Sequence, residues 1–464
     1  MKNRLIPIVA ACAVALLIGC ESFTEGYDKN PLLPTTSTPL KTFVGAELAY
    51  VVFTEGFPSQ LSSLWAQQAT GSERQFGGYY AYTVSAVDFG TDWYLAYTAT
   101  LANLRLVQSD ALAAGQPNLA AAAKILEGLH MGTVAAVWGD VPYAEAARPD
   151  LTTTPKYDPQ MSVYAAVLAL LDAGIAEFTA NPAPLAEDVF SLSGVPSLWI
   201  KLGHSAKARY LMHTARSAGY PAGVLNEILA EGALGILATN GSEDLLFRHG
   251  VVYQGDMNLW HSFQNFDRSG YLSADGNFAS PLMRARGLDG KTDEAGRRAY
   301  YYTSDDKDVN TGPGGAFAVD EPFPGFRASE THLLMAEAHA RLGNIDGAVA
   351  ELNLARQYSN LAFGNTSTDL VAGDFAGSEA LLQAIFNEAY LSLMHQVEVF
   401  NFLRRIDYQI SYRDSLGAVV SLQPTNGTQF PQRFLYPTEE LTANPNRPAQ
   451  TSADLFRATA ANTP

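Results

Sequence analysis

Residues 330–357, ETHLLMAEAHARLGNIDGAVAELNLARQ, carry the most regular helical pattern in this sequence. Both halves of the stretch repeat apolar residues at the three- and four-residue spacing that places them on one face of a helix. Between the halves, Gly343 and Asn344 are suited to end the first helix, and Asp346 is suited to cap the second. The stretch therefore predicts two helices joined by a short turn. Its apolar positions are Leu334, Ala338, Leu342, Ile345, Ala348, Val349, Leu352 and Ala355.

The run AEAHARLGNIDGA within this stretch looks like a tetratricopeptide helix pair, because small residues stand where the two helices of such a pair approach most closely. A generic helical hairpin would carry the same pattern in a single copy, but weaker pairs at 92–137 and 160–217 favour a repeat. Periodic segments along the chain predict helices at 43–54, 60–69, 92–114, 118–137, 160–178, 197–217, 224–238, 328–342, 345–358 and 378–405.

Between about 240 and 327 the helical pattern stops, and glycine, aspartate, asparagine, proline and aromatic residues dominate. Long irregular segments of this kind are usually functional loops or small subdomains. The sequence thus predicts a mainly α fold, in which a tetratricopeptide-like helical-repeat scaffold carries a loop-rich irregular insertion.

The first twenty residues have the character of a lipoprotein signal. A short positive segment precedes an apolar run at 6–18, which is shorter than the ~20 residues needed to span a bilayer. The run stops at Leu17-Ile18-Gly19-Cys20, which resembles the bacterial lipobox, although a secretory signal with an incidental cysteine would look similar. We expect Cys20 to be lipidated, and Glu21 favours an outer-membrane, cell-surface location over retention at the inner membrane.

The chain is accordingly divided into three parts. Residues 1–19 are predicted as a signal peptide, and 20–41 as the lipid anchor with a tether rich in proline and threonine. Residues 42–464 are predicted as a single α-helical domain that contains the insertion at 240–327. Contact with the membrane is then expected through the lipid alone.

Composition excludes several classes of partner and site. The 47 acidic residues outnumber the 30 basic ones and give a net charge of −17, whereas a nucleic-acid binder needs a basic surface. We therefore expect no nucleic-acid partner. With only 2 cysteines, a disulfide scaffold and a cysteine zinc site are excluded.

Catalytic motifs are absent from the sequence, which contains no Gly-x-Ser-x-Gly, His-Glu-x-x-His or Gly-x-Gly-x-x-Gly run. We expect neither enzymatic activity nor a cofactor or metal. The run Asp306-Lys307-Asp308 begins as a calcium loop does, but Thr311 and Phe317 stand where an EF-hand needs glycine and glutamate. A solvated acidic loop is the better interpretation.

Four local runs, in this order and behind a lipobox, resemble the SusD/RagB family of nutrient-binding outer-membrane lipoproteins. They are LWAQQ at 64–68, WGDVPY at 138–143 followed by EA at 145–146, VFNFLRR at 399–405, and LYPTEE at 435–440 followed by NPN at 444–446. The resemblance implies a lid-like α-helical lipoprotein that sits on a TonB-dependent (SusC-like) transporter and delivers an oligosaccharide, or in some branches a peptide, for import. It also implies a binding protein without catalysis.

The helix that ends at Arg404-Arg405 departs from the family pattern. Where many members carry Glu, Gly, Arg and Asp, this chain has His395, Gln396, Glu398 and Asn401. The departure indicates a divergent branch. We expect the two arginines and Glu398 to form ion pairs that pack the helix rather than a ligand site.

Two segments have the chemistry of a sugar site, which needs flat apolar rings beside planar hydrogen-bonding groups. One is Arg74–Tyr82, with Gln68 ahead of it, and the other runs from Tyr253 to Tyr302. We expect Tyr79, Tyr80, Trp260 and Tyr301 to be exposed and to line one face, while Trp65, Trp93 and Trp138 belong to the core. The candidate ligand-binding residues are Gln68, Arg74, Gln75, Tyr79, Tyr80, Tyr82, Trp260, Asn265 and Tyr301.

Two other functions stay open at this point. A lipid-anchored helical scaffold could bind another protein through a concave repeat surface, and burial of the loop aromatics would favour it. A secreted glycan-cleaving enzyme would instead need two carboxyl groups facing each other across a cleft.

Overall fold

The structure, a computed structural model, describes residues 37–463. Helices make up 56% of it, well above the ~30–35% of an average soluble protein, so the predicted mainly α fold is confirmed. The signal peptide, Cys20 and most of the tether lie outside the described residues.

The helices are α1 (Pro39–Glu55), α2 (Phe57–Trp65), α3 (Arg74–Tyr80), α4 (Gly90–Tyr94), α5 (Ala102–Ala113), α6 (Pro117–Trp138), α7 (Gln160–Ala180), α8 (Pro196–Ala215), α9 (Ala222–Gly232), α10 (Leu259–Ser262), α11 (Ala279–Arg286), α12 (Ala295–Tyr301), α13 (Ala328–Arg341), α14 (Ile345–Phe363), α15 (Ser378–Ser392), α16 (Val397–Arg405) and α17 (Thr438–Ala443). Three antiparallel strand pairs join β1 (Thr70–Gly71) to β3 (Leu272–Ser273), β2 (Leu245–Phe247) to β4 (Phe323–Phe326), and β5 (Ser411–Arg413) to β6 (Val419–Ser421).

The helix pair predicted first, α13 and α14, forms as expected. Gly343 takes the left-handed conformation with φ +77°, which turns the chain between the helices. The cap of α14 differs from the prediction, because Asn344 rather than Asp346 accepts the amide hydrogen of Gly347 at 3.1 Å. Asp346 lies inside the first turn, where a carboxylate complements the helix dipole.

Helices packed on their chain neighbours build the scaffold. Each helix from α5 to α9 contacts the next one, α9 contacts α13, and α13 contacts both α14 and α15. This nearest-neighbour arrangement is typical of helical repeats and agrees with the tetratricopeptide-like prediction. The loop-rich segment lies between α9 and α13 and contributes two short strands and three short helices before β4.

Several predicted helix boundaries differ from those of the structure. Helix α1 begins at Pro39, inside the predicted tether, because Thr38 caps it by accepting the Lys41 amide hydrogen at 3.4 Å. The helix predicted at 378–405 breaks into α15 and α16, and His395 between them has a φ of +60°. The helix predicted at 92–114 does form, since the chain is helical from Gly90 to Ala113, and it includes a π-helical segment at Leu95–Leu101.

Helix α7 is, among the described residues, the one helix long and apolar enough to cross a membrane by length and composition. In this structure its buried side chains pack against α6 and α8. Core helices of soluble proteins often pass the same length and hydropathy test. We therefore assign α7 to the scaffold.

The core is rich in aromatic rings, and Trp65, Trp93 and Trp138 lie in it as predicted. The indole N–H of Trp138 donates to the Leu435 carbonyl at 2.9 Å, which ties α6 to the C-terminal segment. This contact joins two of the runs on which the family resemblance was based.

The expected ion pairs at the Arg404-Arg405 helix end form for Arg405 and for Glu398, although these two residues pair with other helices and not with each other. Arg405 instead pairs with Glu337 of α13, at 2.5 and 2.6 Å. Arg404 donates to backbone carbonyls and to Asn401. Glu398 accepts from His213 of α8 at 2.7 Å. The groups are buried, as expected of a network that packs helices rather than a ligand site.

Candidate functional site

The two segments singled out for sugar chemistry lie side by side. Strand β1 pairs with β3, and the Ser72 amide continues the pairing by donating to the Tyr271 carbonyl at 3.0 Å. Next to the strands, the ring of Phe76 lies 5.0 Å from that of Phe263 and 6.0 Å from that of Tyr271. Residues far apart in the sequence thus share one surface region.

The expectation that Trp260 is exposed is wrong, because its side chain is fully buried. Its indole N–H reaches the Glu55 carbonyl at 3.1 Å and the Ser59 hydroxyl at 3.0 Å. Its ring stacks on Phe317 with centroids 4.6 Å apart. Trp260 therefore anchors the loop-rich segment to α1 and α2 and presents no free face to a ligand.

Tyr301 and Tyr79 are likewise buried rather than exposed. The Tyr301 hydroxyl accepts from Arg327 at 2.8 Å. The Tyr79 hydroxyl donates to Asp88 at 2.6 Å, and burial, followed by that hydrogen bond and the carboxylate charge, raises the pKa of Tyr79 well above 10. Both phenols find polar partners inside the protein, which is how a buried tyrosine is usually accommodated.

Gln68 and Tyr82 also lie in the interior. The Gln68 side chain donates to the Tyr390 carbonyl at 2.9 Å and accepts from the His395 amide at 2.8 Å. The Tyr82 hydroxyl accepts from the Thr425 amide at 3.0 Å. These contacts join α2 and the following loop to the C-terminal half, and they occupy the groups that a sugar would need.

The remaining candidates reach the surface. Arg74, Gln75 and Asn265 are exposed, and Tyr80 is half-buried. Their part in ligand binding stays a prediction.

An exposed ring pair lies in the segment that contains Asn265. Tyr253 and Phe266 are 41% and 55% exposed, and their ring centroids lie 4.9 Å apart with planes tilted by 35°. The Tyr253 hydroxyl donates to Asp267 at 2.6 Å, which fixes the orientation of the ring. Val251 and Val252 are exposed on the same loop. We call Tyr253 and Phe266 the ring platform.

Phe266 is the residue that the sequence analysis missed. It lies in a π-helical turn, Phe263–Asp267, that directly follows α10. The extra residue per turn rotates the side chains relative to an α-helix, and such turns occur often at functional sites. Sequence periodicity gave no signal for it, although its position one residue after Asn265 placed it within the chosen segment.

The loop that carries Tyr253 is held at its base. The Asp256 carbonyl accepts from the Gly250 amide at 2.8 Å, and the Asp256 carboxylate accepts from the Val252 amide at 2.9 Å. His249, just ahead of the loop, lies 2.8 Å from the buried Glu55 carboxylate. Burial lowers the pKa of His249, but the charge and hydrogen bond of Glu55 outweigh it, and the pKa is raised overall.

This surface combines two flat apolar rings with polar side chains at the edge, the pattern of small-molecule sites that fix orientation with few polar groups. Asn265 and Gln254 supply amides, and Arg268 supplies a cation 5.8 Å from the Tyr271 ring. The arrangement offers stacking and hydrogen bonding to a ligand.

The acidic loop at Asp306 is solvated as interpreted at Asp305, Lys307 and Asp308, which are exposed, but not at Asp306 itself. Asp306 is buried and forms ion pairs with Arg284 and, at 3.1 Å, with Arg298. Across residues 37–463 no group of three or more His, Cys, Asp or Glu side chains is arranged to hold a metal ion.

Comparison with known proteins identifies the fold. Residues 46–249 match a SusD-like family model described as "Starch-binding associating with outer membrane". No curated protein matches the chain significantly. A SusD/RagB family protein from Bacteroides thetaiotaomicron has a TM-score of 0.66 at 17% identity, covering 92% of this chain and 99% of its own.

Two further structures are similar over most of their length. A chitin-binding protein has a TM-score of 0.65 at 20% identity, covering 88% of this chain and 94% of its own. A chitin-binding SusD homologue from Flavobacterium johnsoniae has a TM-score of 0.64 at 17% identity, covering 87% and 94%. At these identities the likeness establishes a shared fold.

Proposed function

Since this chain is a SusD/RagB-like protein, as its sequence motifs predicted, we propose that it binds a glycan at the cell surface and that the ring platform of Tyr253 and Phe266 contacts the sugar. The observation that carries the proposal is the exposure of two adjacent rings in a protein whose other loop aromatics are mostly buried. Exposed apolar area is seldom left contiguous on a monomer without a binding role.

The chemistry of the surface supports a sugar as the ligand. A pyranose presents C–H groups on one face and hydroxyls at its edge, and the two rings can cover the C–H face. Asn265 directly precedes Phe266 in the chain, and Arg74 and Gln75 begin α3. All three are exposed and carry the planar donors and acceptors that hydroxyls need. The description of the family model and the names of two similar structures point to starch and chitin, which agrees with a glycan.

The experiment is a titration of the purified mature chain with starch-type and chitin-type oligosaccharides. The Tyr253→Ala/Phe266→Ala variant should bind its glycan about 1–3 kcal/mol more weakly than the unaltered protein, because the sugar no longer covers the rings. Tyr94→Ala is the matched control, since Tyr94 is 58% exposed on a separate helix. An equal loss of glycan affinity in both variants, or no loss in the double variant, would show that the ring platform does not contact the glycan.

Delivery of the glycan to a TonB-dependent outer-membrane transporter is the second part of the proposal. The predicted lipid on Cys20 and the single domain after the tether are consistent with a lid held at the membrane. A tagged chain solubilised from its own membrane in mild detergent should retain a large outer-membrane barrel, while the Cys20→Ser variant should retain less of it. Recovery of the chain alone under both conditions would contradict delivery.

One alternative function, that of a protein-binding scaffold, is supported by a separate observation. The burial of Trp260, Tyr79 and Tyr301 is what a protein-binding helical scaffold would show. Peptides should therefore be titrated alongside the oligosaccharides, since exposed rings also contact apolar peptide side chains. A complex with a protein or peptide, and with no oligosaccharide, would favour this alternative over glycan binding.

A further inference from the structure

A cleft on the surface formed by α11, α14 and the loop between α11 and α12 contains a buried arginine with no acidic partner. The cleft has a volume of about 330 Å³ and is lined in part by Arg286, Lys291 and Arg356. A second cleft of about 570 Å³ shares Arg356 as part of its lining. Both volumes fall in the range of small-molecule sites, roughly 300–1,000 Å³.

Arg356 is 3% exposed, yet it donates only to neutral acceptors. Nη1 donates to the Thr292 hydroxyl at 2.9 Å, and Nη2 donates to the carbonyls of Lys291 and Thr368 at 3.0 and 2.8 Å. Its Nε–H has no hydrogen-bond partner, and none of the carboxylates in the described chain forms an ion pair with it. A buried guanidinium is normally paired. Arg404 is likewise buried without an ion pair, but Arg356 lines the two clefts and Arg404 does not.

The carboxylates around the cleft are already engaged. Asp289 accepts from the amides of Lys291 and Thr292, both at 2.7 Å. Glu294 and Glu388 pair with Arg286 and with Arg297. Burial is the main cause of the lowered pKa of the Arg356 guanidinium, which the charge of Glu388 offsets only in part. An incoming anion would accept the one hydrogen bond that the Arg356 Nε–H does not make inside the protein.

The rest of the lining suits a ring that bears such an anion. Phe375 and Leu370 are partly exposed and provide apolar surface. Lys291 pairs with Asp374 at 2.7 Å between partly exposed side chains, and ion pairs of that kind contribute little stability, so Lys291 can exchange its partner for a ligand at small cost. The free Nε–H of Arg356 can donate a charge-assisted hydrogen bond to one oxygen of a carboxylate.

We propose that this cleft is a second ligand site, separate from the ring platform, that binds the carboxylate of an acidic saccharide through Arg356 and Lys291. The carboxylate follows from the unpaired guanidinium and the volume of the cleft. The saccharide as its carrier rests on the proposed glycan-binding function.

The test compares two α-1,4-linked trisaccharides, trigalacturonate and neutral maltotriose, by calorimetric titration. It is performed in the Tyr253→Ala/Phe266→Ala background, so that failure of the ring platform cannot affect the result. Trigalacturonate should bind and maltotriose should not. Arg356→Gln should weaken trigalacturonate binding about tenfold or more, as expected for a charged hydrogen bond, while the exposed Arg413→Gln should leave it unchanged.

Lys291→Met provides a second variant in case Arg356→Gln does not fold, because Lys291 is partly exposed and its loss should not disturb the core. It should weaken trigalacturonate binding several-fold, and added sodium chloride should weaken it further. Inorganic sulfate is added as a competitor to determine whether the cleft binds any anion as well as it binds trigalacturonate. Equal binding of both trisaccharides, stronger binding of sulfate than of trigalacturonate, or unchanged affinity in both variants would overturn the proposal.

Discussion

The ring of Tyr253 lies 4.9 Å from the ring of Phe266, and both stand on the surface while Trp260, a few residues away, is fully buried. The contrast arises from the backbone. Asn258 caps α10, whose Trp260 faces α1 and α2, and the π-helical turn that follows carries Phe266 to the outside. Aromatic residues of one short segment are thereby divided between anchoring the loop and facing the solvent.

The anchoring role predicts a large loss of stability for Trp260→Ala. We expect the free energy of unfolding to fall by about 3–5 kcal/mol, since a large buried ring is lost and its indole hydrogen bonds with it. Tyr253→Ala should change it by less than about 0.5 kcal/mol, because that ring is exposed. Urea unfolding followed by circular dichroism measures both. A larger effect at Tyr253 than at Trp260 would contradict the assignment.

The ion pair of Glu337 and Arg405 predicts acid sensitivity. Burial alone would raise the pKa of Glu337, but Arg405 and Arg341 lower it to about 2 from an ordinary value of 4.5. A lowered folded-state pKa means that the stabilisation is complete above pH 4.5 and is lost as pH falls towards 2. Glu337→Gln should cost about 3–5 kcal/mol at neutral pH, because it leaves Arg405 buried without its partner.

Unfolding measured at several pH values checks this prediction. The stability difference between the unaltered protein and Glu337→Gln should shrink as the pH is lowered below 4.5. The control is Glu187→Gln, which removes the exposed partner of Lys41 and should have little effect at any pH. A difference that stays constant down to pH 2 would show that the charge of Glu337 does not stabilise the fold.

The contact between His249 and Glu55 lies at the base of the loop that carries Tyr253. It predicts a pH dependence of stability opposite to that of the Glu337–Arg405 pair. The pKa of His249 is raised in the fold, so its stabilisation is complete below the ordinary value of 6.5 and is lost as pH rises through the higher folded-state value. His249→Gln should therefore lower the melting temperature most at pH 6, and the difference should narrow at alkaline pH. A difference in melting temperature that widens at alkaline pH would show that a charged His249 does not stabilise the fold through Glu55. The Glu55 carboxylate lies 2.8 Å from Nε2 of this histidine, and the Asp256 backbone carbonyl lies 3.2 Å from Nδ1. The charge of Asp256 also raises the pKa of His249, but less than Glu55 does.

The lipid anchor gives a prediction for residues that the structure does not describe. Cys20→Ser should move the protein from the membrane fraction to the soluble fraction, because the cysteine that would carry the lipid is removed. Cys12→Ser, within the predicted signal peptide, should leave the distribution unchanged. Membrane retention of Cys20→Ser would exclude the lipobox interpretation.

The sequence predicted those features that depend on neighbours within about ten residues. The helix pair α13–α14 followed from apolar spacing and from Gly343 and Asn344, all of which act locally. The burial of Trp260 depends instead on Glu55 and Ser59, some two hundred positions away. Residues in a segment rich in glycine and asparagine gave no periodicity from which to infer which ring faces inward.

The candidate sites show the same limit. Composition identified the segment that contains the ring platform, but it gave no means of separating exposed Phe266 from buried Trp260. The Arg356 cleft was not predicted at all, because the loop at 291–292 reaches α14 only in the folded chain. Local patterns predict elements, whereas sites depend on contacts between elements.

The central claim is that the ring platform holds the sugar, and a crystal structure of the protein with an oligosaccharide selected by titration tests it most directly. We expect a pyranose to lie flat against Tyr253 and Phe266, with carbon atoms of the sugar about 4 Å from the rings and with Asn265 or Arg74 within hydrogen-bonding distance of its hydroxyls. A sugar bound elsewhere, with both rings left uncovered, would contradict the account.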